Sequence, residues 1–123
     1  MVEEEHLLHR QDHPDWVQDG EFSSQAFKPT QKDEGKLSVY DGKQSNADNS
    51  FTHYTAVQKL RSAGVVSVST VEVDGAGLRW VIDGVPFPQH GHIDFSGLSG
   101  SQIKAKSVQL KTMALARGWT YRP

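Results

Sequence analysis

The chain has 123 residues, no cysteine, 36% hydrophobic and 23% charged residues, and a net charge of −2. That length fits one ordinary domain able to bury a core without staples, and the composition indicates neither a disordered chain nor a membrane protein and excludes disulfides, thiolate metal sites and cysteine nucleophiles. No apolar run approaches the ~18 residues of a membrane helix, and the opening MVEEEHLLHR lacks the basic-then-apolar pattern of a secretion signal.

The expectation is a bacterial cytoplasmic protein, a single compact domain over 1–123 with residues 1–5 flexible and no membrane partner. Charge is uneven. Residues 1–34 hold nine acids and three bases, and residues 101–123 hold five bases and no acid. Such ends could attract each other in the fold or offer separate patches to partners; the plainer reading is a solvated charge pattern. The basic end lacks the interleaved aromatics and dense Lys/Arg of a nucleic-acid surface, so nucleic acid is not an expected partner.

In chain order, the first element is a short strand, Leu7 to Arg10, ended by DHPD, where Pro14 biases His13 away from the helical region. Asp15 to Gln18 is one turn with Trp16 and Val17 as its buried pair. Phe22 to Phe27 reads as extended, stopped by Pro29. KDEG, with Lys32, Asp33 and Glu34, is a turn. Leu37 to Tyr40 is a strand, closed by Asp41-Gly42. Ala47 to Ser62 is a helix: Ala47, Phe51, Tyr54 and Val57 share one face, Ser45 or Asn46 caps its start, and Gly64 ends it.

The run VVSVSTVEV, Val65 to Val73, is the strongest strand because branched side chains favour extended backbone. DGAG turns the chain, Leu78 to Ile82 is a strand, DGVPFP is a turn region, and His90 to Phe95 is a further strand. The last helix, Gln102 to Arg117, is capped by Ser99 or Ser101 and stopped by Gly118. It carries Ile103, Leu110 and Ala114 on one side and Val108 and Leu115 on another, so both sides are expected to be covered. The order implies an α+β fold with one mixed or mainly antiparallel sheet of four to six short strands and two main helices.

Two clusters carry chemistry-bearing side chains. In LLHRQDHP, Arg10 beside His9, Asp12 and His13 could hold a phosphate or carboxylate through the planar guanidinium fork; the plainer reading is a strand edge facing water. In FPQHGHIDF, alternation puts His90, His92 and Asp94 on one strand face. They could bind a metal such as zinc, or one histidine could act as a general base oriented by Asp94. The plainer reading is an exposed face with Ile93 and Phe95 turned inward.

Tyr54 is expected in the core and His53 at the surface. Ser23 and Ser24 lack a GxSxG elbow, so a serine hydrolase has no motif support. Phe22, Phe27 and Tyr40 could line a cleft for a flat ligand, or fill the core. No glycine-rich phosphate loop is present.

The pattern HRQDHPDWVQDGEFSSQAFKPTQKDEGKLSVYDG, continued by HYT, GVVSV and FPQHGHIDF, resembles a family of small single-domain bacterial proteins of no assigned function. That likeness implies a free-standing domain and no activity. A second, partial likeness is to ADP-ribosyltransferase folds of the RES type, carried by Arg10, Gly20, Tyr40 and the Ala47 helix in that order. It implies that Arg10 contacts NAD and Tyr40 stacks on nicotinamide. The glutamate usual after that helix is missing between Glu34 and Glu72, so His90 or His92 would have to replace it.

Two functions are therefore expected to compete. One is a non-enzymatic accessory module whose partner is another protein, with no cofactor. The other is a small NAD-using enzyme with Arg10, His13, Tyr40 and His90 or His92 in one cleft.

Overall fold

The computed structural model describes residues 5–29 and 35–123. Residues 1–4 of the expected flexible start and the charged part of the KDEG turn lie outside the described residues. Period-two alternation organises the rest. Leu8, Leu37, Val39, Val66, Val68 and Ile93 are buried in one core cluster, while His9, Tyr40, Ser67 and His90 are cross-strand neighbours on the opposite face. The elements are β1 (Leu7–Asp12), a 3₁₀ turn (Pro14–Trp16), β2 (Val17–Gln18), β3 (Glu21–Phe22), a second 3₁₀ turn (Ser24–Phe27), β4 (Lys36–Asp41) and α1 (Ala47–Thr52). Then follow β5 (Gly64–Ser69), α2 (Thr70–Gly75), β6 (Arg79–Val81), β7 (His90–Asp94) and α3 (Gly100–Arg117).

Five strands form one sheet in the order β5-β1-β4-β7-β6, every neighbour antiparallel, and β2 pairs with β3 in a separate ribbon. The fold is α+β. α3 covers the apolar face with Leu110 and Ala114, and Ser107 donates to the Phe27 carbonyl at 2.9 Å, which docks the helix on the second 3₁₀ turn. Phe27, Leu37 and Val39 are all buried, as is Phe22. Among the described residues no helix is long and apolar enough to cross a membrane.

Among the described residues the two ends meet at a backbone carbonyl. Arg122 and the Trp119 indole both donate to the Gly20 carbonyl, at 3.1 and 3.3 Å, and the Trp119 ring packs on Phe22 at 5.4 Å.

Several expected elements differ, each for a local reason. Asp15 to Gln18 is not one turn with a buried pair: the 3₁₀ turn ends at Trp16, Val17 opens β2, and both side chains are only half-buried. Phe22 to Phe27 is not extended: after Phe22 the chain winds into a 3₁₀ turn, which buries Ala26 and Phe27 together. The valine-rich run is a strand only to Ser69. There Ser69 and Glu72 close a capping box, with Glu72 N–H to Ser69 Oγ at 3.0 Å and Ser69 N–H to Glu72 Oε1 at 2.7 Å. Two satisfied donors outweigh the weak strand preference of Val71 and Val73.

The middle helix is α-helical only to Thr52 and widens to a π-turn over His53–Val57, with Gln58 N–H reaching the His53 carbonyl at 3.0 Å. The extra residue in that turn rotates Val57 off the apolar face, leaving it 66% exposed. Gly64 opens β5 rather than ending that helix. On α3, Leu115 packs against the core but Val108 is exposed, so the second stripe is covered only in part.

Asn46 and Ser99 supply the helix caps at α1 and α3, and Gly118 takes the left-handed conformation, φ 82°, that stops α3. The Ser69 cap gives a direct check. Ser69→Ala should lower stability by ~1 kcal/mol, a melting decrease of about 4 °C for a domain of this size, measured by circular dichroism.

Candidate functional site

The sheet is split at its centre. β1 pairs with β5 along six residues and β4 with β7 along five, but β1 and β4 pair only at Leu8–Asp41 and His9–Tyr40. Beyond that point the two strands part. The Arg10 guanidinium spans the opening: Nε donates to the Ala26 carbonyl at 2.8 Å and Nη1 to the Ser38 carbonyl at 3.0 Å. Its planar fork thus serves backbone carbonyls on two separate segments. Trp16 lies against the same cation, 5.7 Å from ring centre to Cζ.

The opening forms a cleft of about 510 Å³, walled by the polar sheet face, the π-turn segment and the loop before β7. Arg10, Tyr40 and His90 line it, together with Trp16, Ser38, Tyr54, Gln58, Leu60 and Phe87. Tyr40 is the best-anchored member. Gln58 Nε2 donates to Tyr40 Oη at 2.8 Å, and Tyr40 Oη is hydrogen-bonded to His53 Nδ1 at 2.7 Å. Burial pushes the Tyr40 phenol up to about 12, against the lowering hydrogen bond from Gln58, so it stays protonated. Its ring stacks on Phe87, centroids 5.1 Å apart and planes 28° apart.

His90 joins the cleft from β7. Its Nδ1 lies 2.6 Å from Asp83 Oδ1 and its Nε2 3.2 Å from Ser38 Oγ. Asp83 also takes His92 Nδ1 on its other oxygen, at 2.9 Å. Burial acts to raise the Asp83 carboxyl, but the two imidazole hydrogen bonds outweigh it and hold the group below its ordinary value.

The structure therefore brings together Arg10, Tyr40 and His90, and leaves other expected residues outside. His13 caps the first 3₁₀ turn, accepting from Asp15 N–H at 3.1 Å, and touches Trp16 from the far side of the cleft lining. His92 shares Asp83 but does not line the cleft. Asp94 does not orient either histidine: it accepts from Ser96 N–H at 2.9 Å, and hydrogen bonding from the Ser96 side chain first and its backbone second holds the carboxyl below its ordinary value. Among the described residues no three His, Asp or Glu side chains gather as a metal-ligand set. His53 is not a free surface residue, since it closes the Tyr40 hydrogen-bond chain, and Tyr54 faces the cleft instead of the core.

Sequence reasoning missed Asp83, Ser38, Phe87 and Gln58. Asp83 was legible only as a turn-starting aspartate in IDGVPFPQHGH. Its pairing with both histidines needs the β6–β7 hairpin to fold back. A second concavity, about 550 Å³ between Trp16, Lys28, Pro29 and Ile103, contains none of the expected site residues.

Fold and site together define an α+β protein with a ligand-sized cleft in a split antiparallel sheet. Comparison of the chain with protein-family models, with curated proteins and with solved structures finds no match.

Proposed function

We propose that the protein binds a small molecule with a flat apolar part in the β1–β4 cleft, and acts through that ligand rather than as a docking module for another protein. The observation that carries this reading is convergence. Arg10, Tyr40 and His90, far apart in sequence, meet Trp16, Tyr54 and Phe87 around one concavity. Its volume falls in the range of small-molecule sites, and its mix of aromatic walls with a few placed polar groups is their usual composition. A docking module has no need for such convergence and relies on a contiguous apolar patch.

The dinucleotide reading draws support from Arg10 and Tyr40 sharing the cleft. It is the weaker of the two ligand readings. Tyr40 is only 4% exposed and already stacked on Phe87, and no carboxylate is among the described lining residues.

A melting series with p-nitrophenol, nicotinamide and NAD tests the proposal, since a ligand that binds only the folded state raises the melting point. The expected result is a rise of about 5 °C with the small aromatic at ten times its Kd, roughly 1.4 kcal/mol, abolished in Phe87→Ala. No rise with any of the three, and no quenching of Trp16 fluorescence against a Trp16→Phe control, would overturn it.

A further inference from the structure

We infer that Ser38, His90 and Asp83 form a hydroxyl–imidazole–carboxylate relay in the wall of this cleft, and that the site hydrolyses small neutral esters with an apolar acyl or aryl part. The inference rests on the cleft's being a small-molecule site, as proposed above. Its own support is geometric. Ser38 Oγ lies 3.2 Å from His90 Nε2, and His90 Nδ1 lies 2.6 Å from Asp83 Oδ1. That is a nucleophile within reach of a base, and a base oriented by a third group, which is how such relays are recognised regardless of chain position or motif.

The carboxylate decides the tautomer. An ionised carboxylate can only accept, so the imidazole must present its Nδ1–H to Asp83. Nε2 is then left with its lone pair directed at the Ser38 hydroxyl. His92 donates to the second Asp83 oxygen at 2.9 Å and fixes the carboxylate plane. The loop is braced as well: Gly84 N–H reaches the His90 carbonyl at 3.0 Å.

Access favours the same reading. Ser38 is exposed on the central strand β4, and both Ser38 and His90 line the cleft. The His90 and Asp83 side chains are 15% and 25% exposed. Tyr54, Leu60, Pro86 and Phe87 supply apolar wall around them. Among the described residues no lining side chain is acidic, so they offer a cationic substrate no counter-charge and a neutral ester fits them better.

The step balances without any further reagent. Ser38 Oγ bonds to the ester carbonyl carbon as its proton passes to His90 Nε2. The bond from that carbon to the alcohol oxygen breaks, and His90 Nε2–H protonates the departing alcohol. Water then attacks the acyl-Ser38 carbonyl, giving its proton to His90, and the Ser38 oxygen leaves with that proton. Ester and water become acid and alcohol. Asp83 does not touch the substrate; it is a positioning residue.

The test uses the full chain with p-nitrophenyl butyrate, whose leaving group needs little protonation, and with an alkyl fluorophosphonate that captures an activated serine. Expected are ester turnover that falls at least 100-fold in Ser38→Ala, a comparable fall in His90→Gln, and a single fluorophosphonate adduct mapped to Ser38 that is lost in His90→Gln. Asp83→Asn should lower kcat at least tenfold with little change in KM, which loss of a merely structural contact would not do selectively. Ser38 is exposed, so Ser38→Ala should melt with the parent protein and remain interpretable even where His90→Gln fails to fold.

Turnover that survives Ser38→Ala would belong to surface histidines and overturn the inference. So would the absence of an adduct on Ser38. With p-nitrophenol still raising the melting point, either result sinks the relay alone. With no such rise, the cleft reading fails too.

Discussion

Arg10→Ala should destabilise the protein by ~3 kcal/mol, a melting decrease on the order of 10 °C. The residue sits where a sheet would ordinarily close, and it replaces the missing ladder between β1 and β4 with two charge-assisted bonds to the Ala26 and Ser38 carbonyls. Hydrogen bonds from a charged donor are the stronger kind, and removing the donor leaves two carbonyls without their partner. Arg10→Lys should recover less than half of the loss, because a point-like ammonium cannot span both carbonyls as the planar fork does. Urea denaturation of the three proteins measures this directly. A loss below ~1 kcal/mol for Arg10→Ala would show that water fills the split at little cost.

The second large effect is in the pH dependence of stability, and it is hidden in the parent protein. Asp12 ends β1 fully buried, and neither of its carboxylate oxygens has a hydrogen-bond partner among the described residues. Burial pushes it from 3.8 up to about 7, against the lowering influence of the Arg10 and Arg122 charges. A carboxyl raised in the folded state stabilises fully below its unfolded value, and that stability is lost as pH rises towards 7.

His9 does the opposite. Burial lowers it from 6.5 to about 4, opposed by a backbone hydrogen bond with Ser45 and the Asp41 charge and helped slightly by His6. A histidine lowered in the folded state stabilises fully above 6.5, and that stability is lost as pH falls to 4. At ~1.4 kcal/mol per pH unit, Asp12 is worth ~4 kcal/mol across its window and His9 ~3 across its own. The two slopes nearly cancel between pH 4 and 6.5.

Asp12→Asn should therefore expose the His9 slope: more stable than the parent at pH 8, and falling by ~3 kcal/mol on going from pH 6.5 to pH 4. His9→Gln should do the reverse and gain stability over the same fall. Thermal melts of the three proteins at pH 4.5, 6.5 and 8 decide it. Parallel pH curves for the parent and Asp12→Asn would mean that Asp12 is ionised in the folded protein. Arg10→Ala and Asp12→Asn should not add, because Arg10 is the first of the charges that hold Asp12 down.

Much of the frame follows from the chain's own pattern. Alternation alone separates Leu37, Val39 and Ile93 from Ser38, Tyr40 and His92, because a strand turns successive side chains to opposite faces. Helix ends are equally local: Asn46, Ser99 and Gly118 stop or start helices through bonds and dihedrals within a few residues. The capping box at Ser69 and Glu72 was there to be read too, masked by the β-branched run around it.

What tertiary structure alone decided is the site. Arg10 reads as a surface anion holder in its own sequence, yet its donors are taken by carbonyls 16 and 28 residues away. Asp94 is the carboxylate spaced for His90 and His92 along one strand, yet Asp83 holds them, because a hairpin folds back on β7 while Asp94 turns to the next loop. Val57 belongs to an apolar stripe until one π-turn rotates it outward and brings Gln58 to Tyr40. Local pattern fixes which face a side chain takes; which distant partner waits on that face depends on how strands pair and where a sheet parts, and no short-range spacing encodes that.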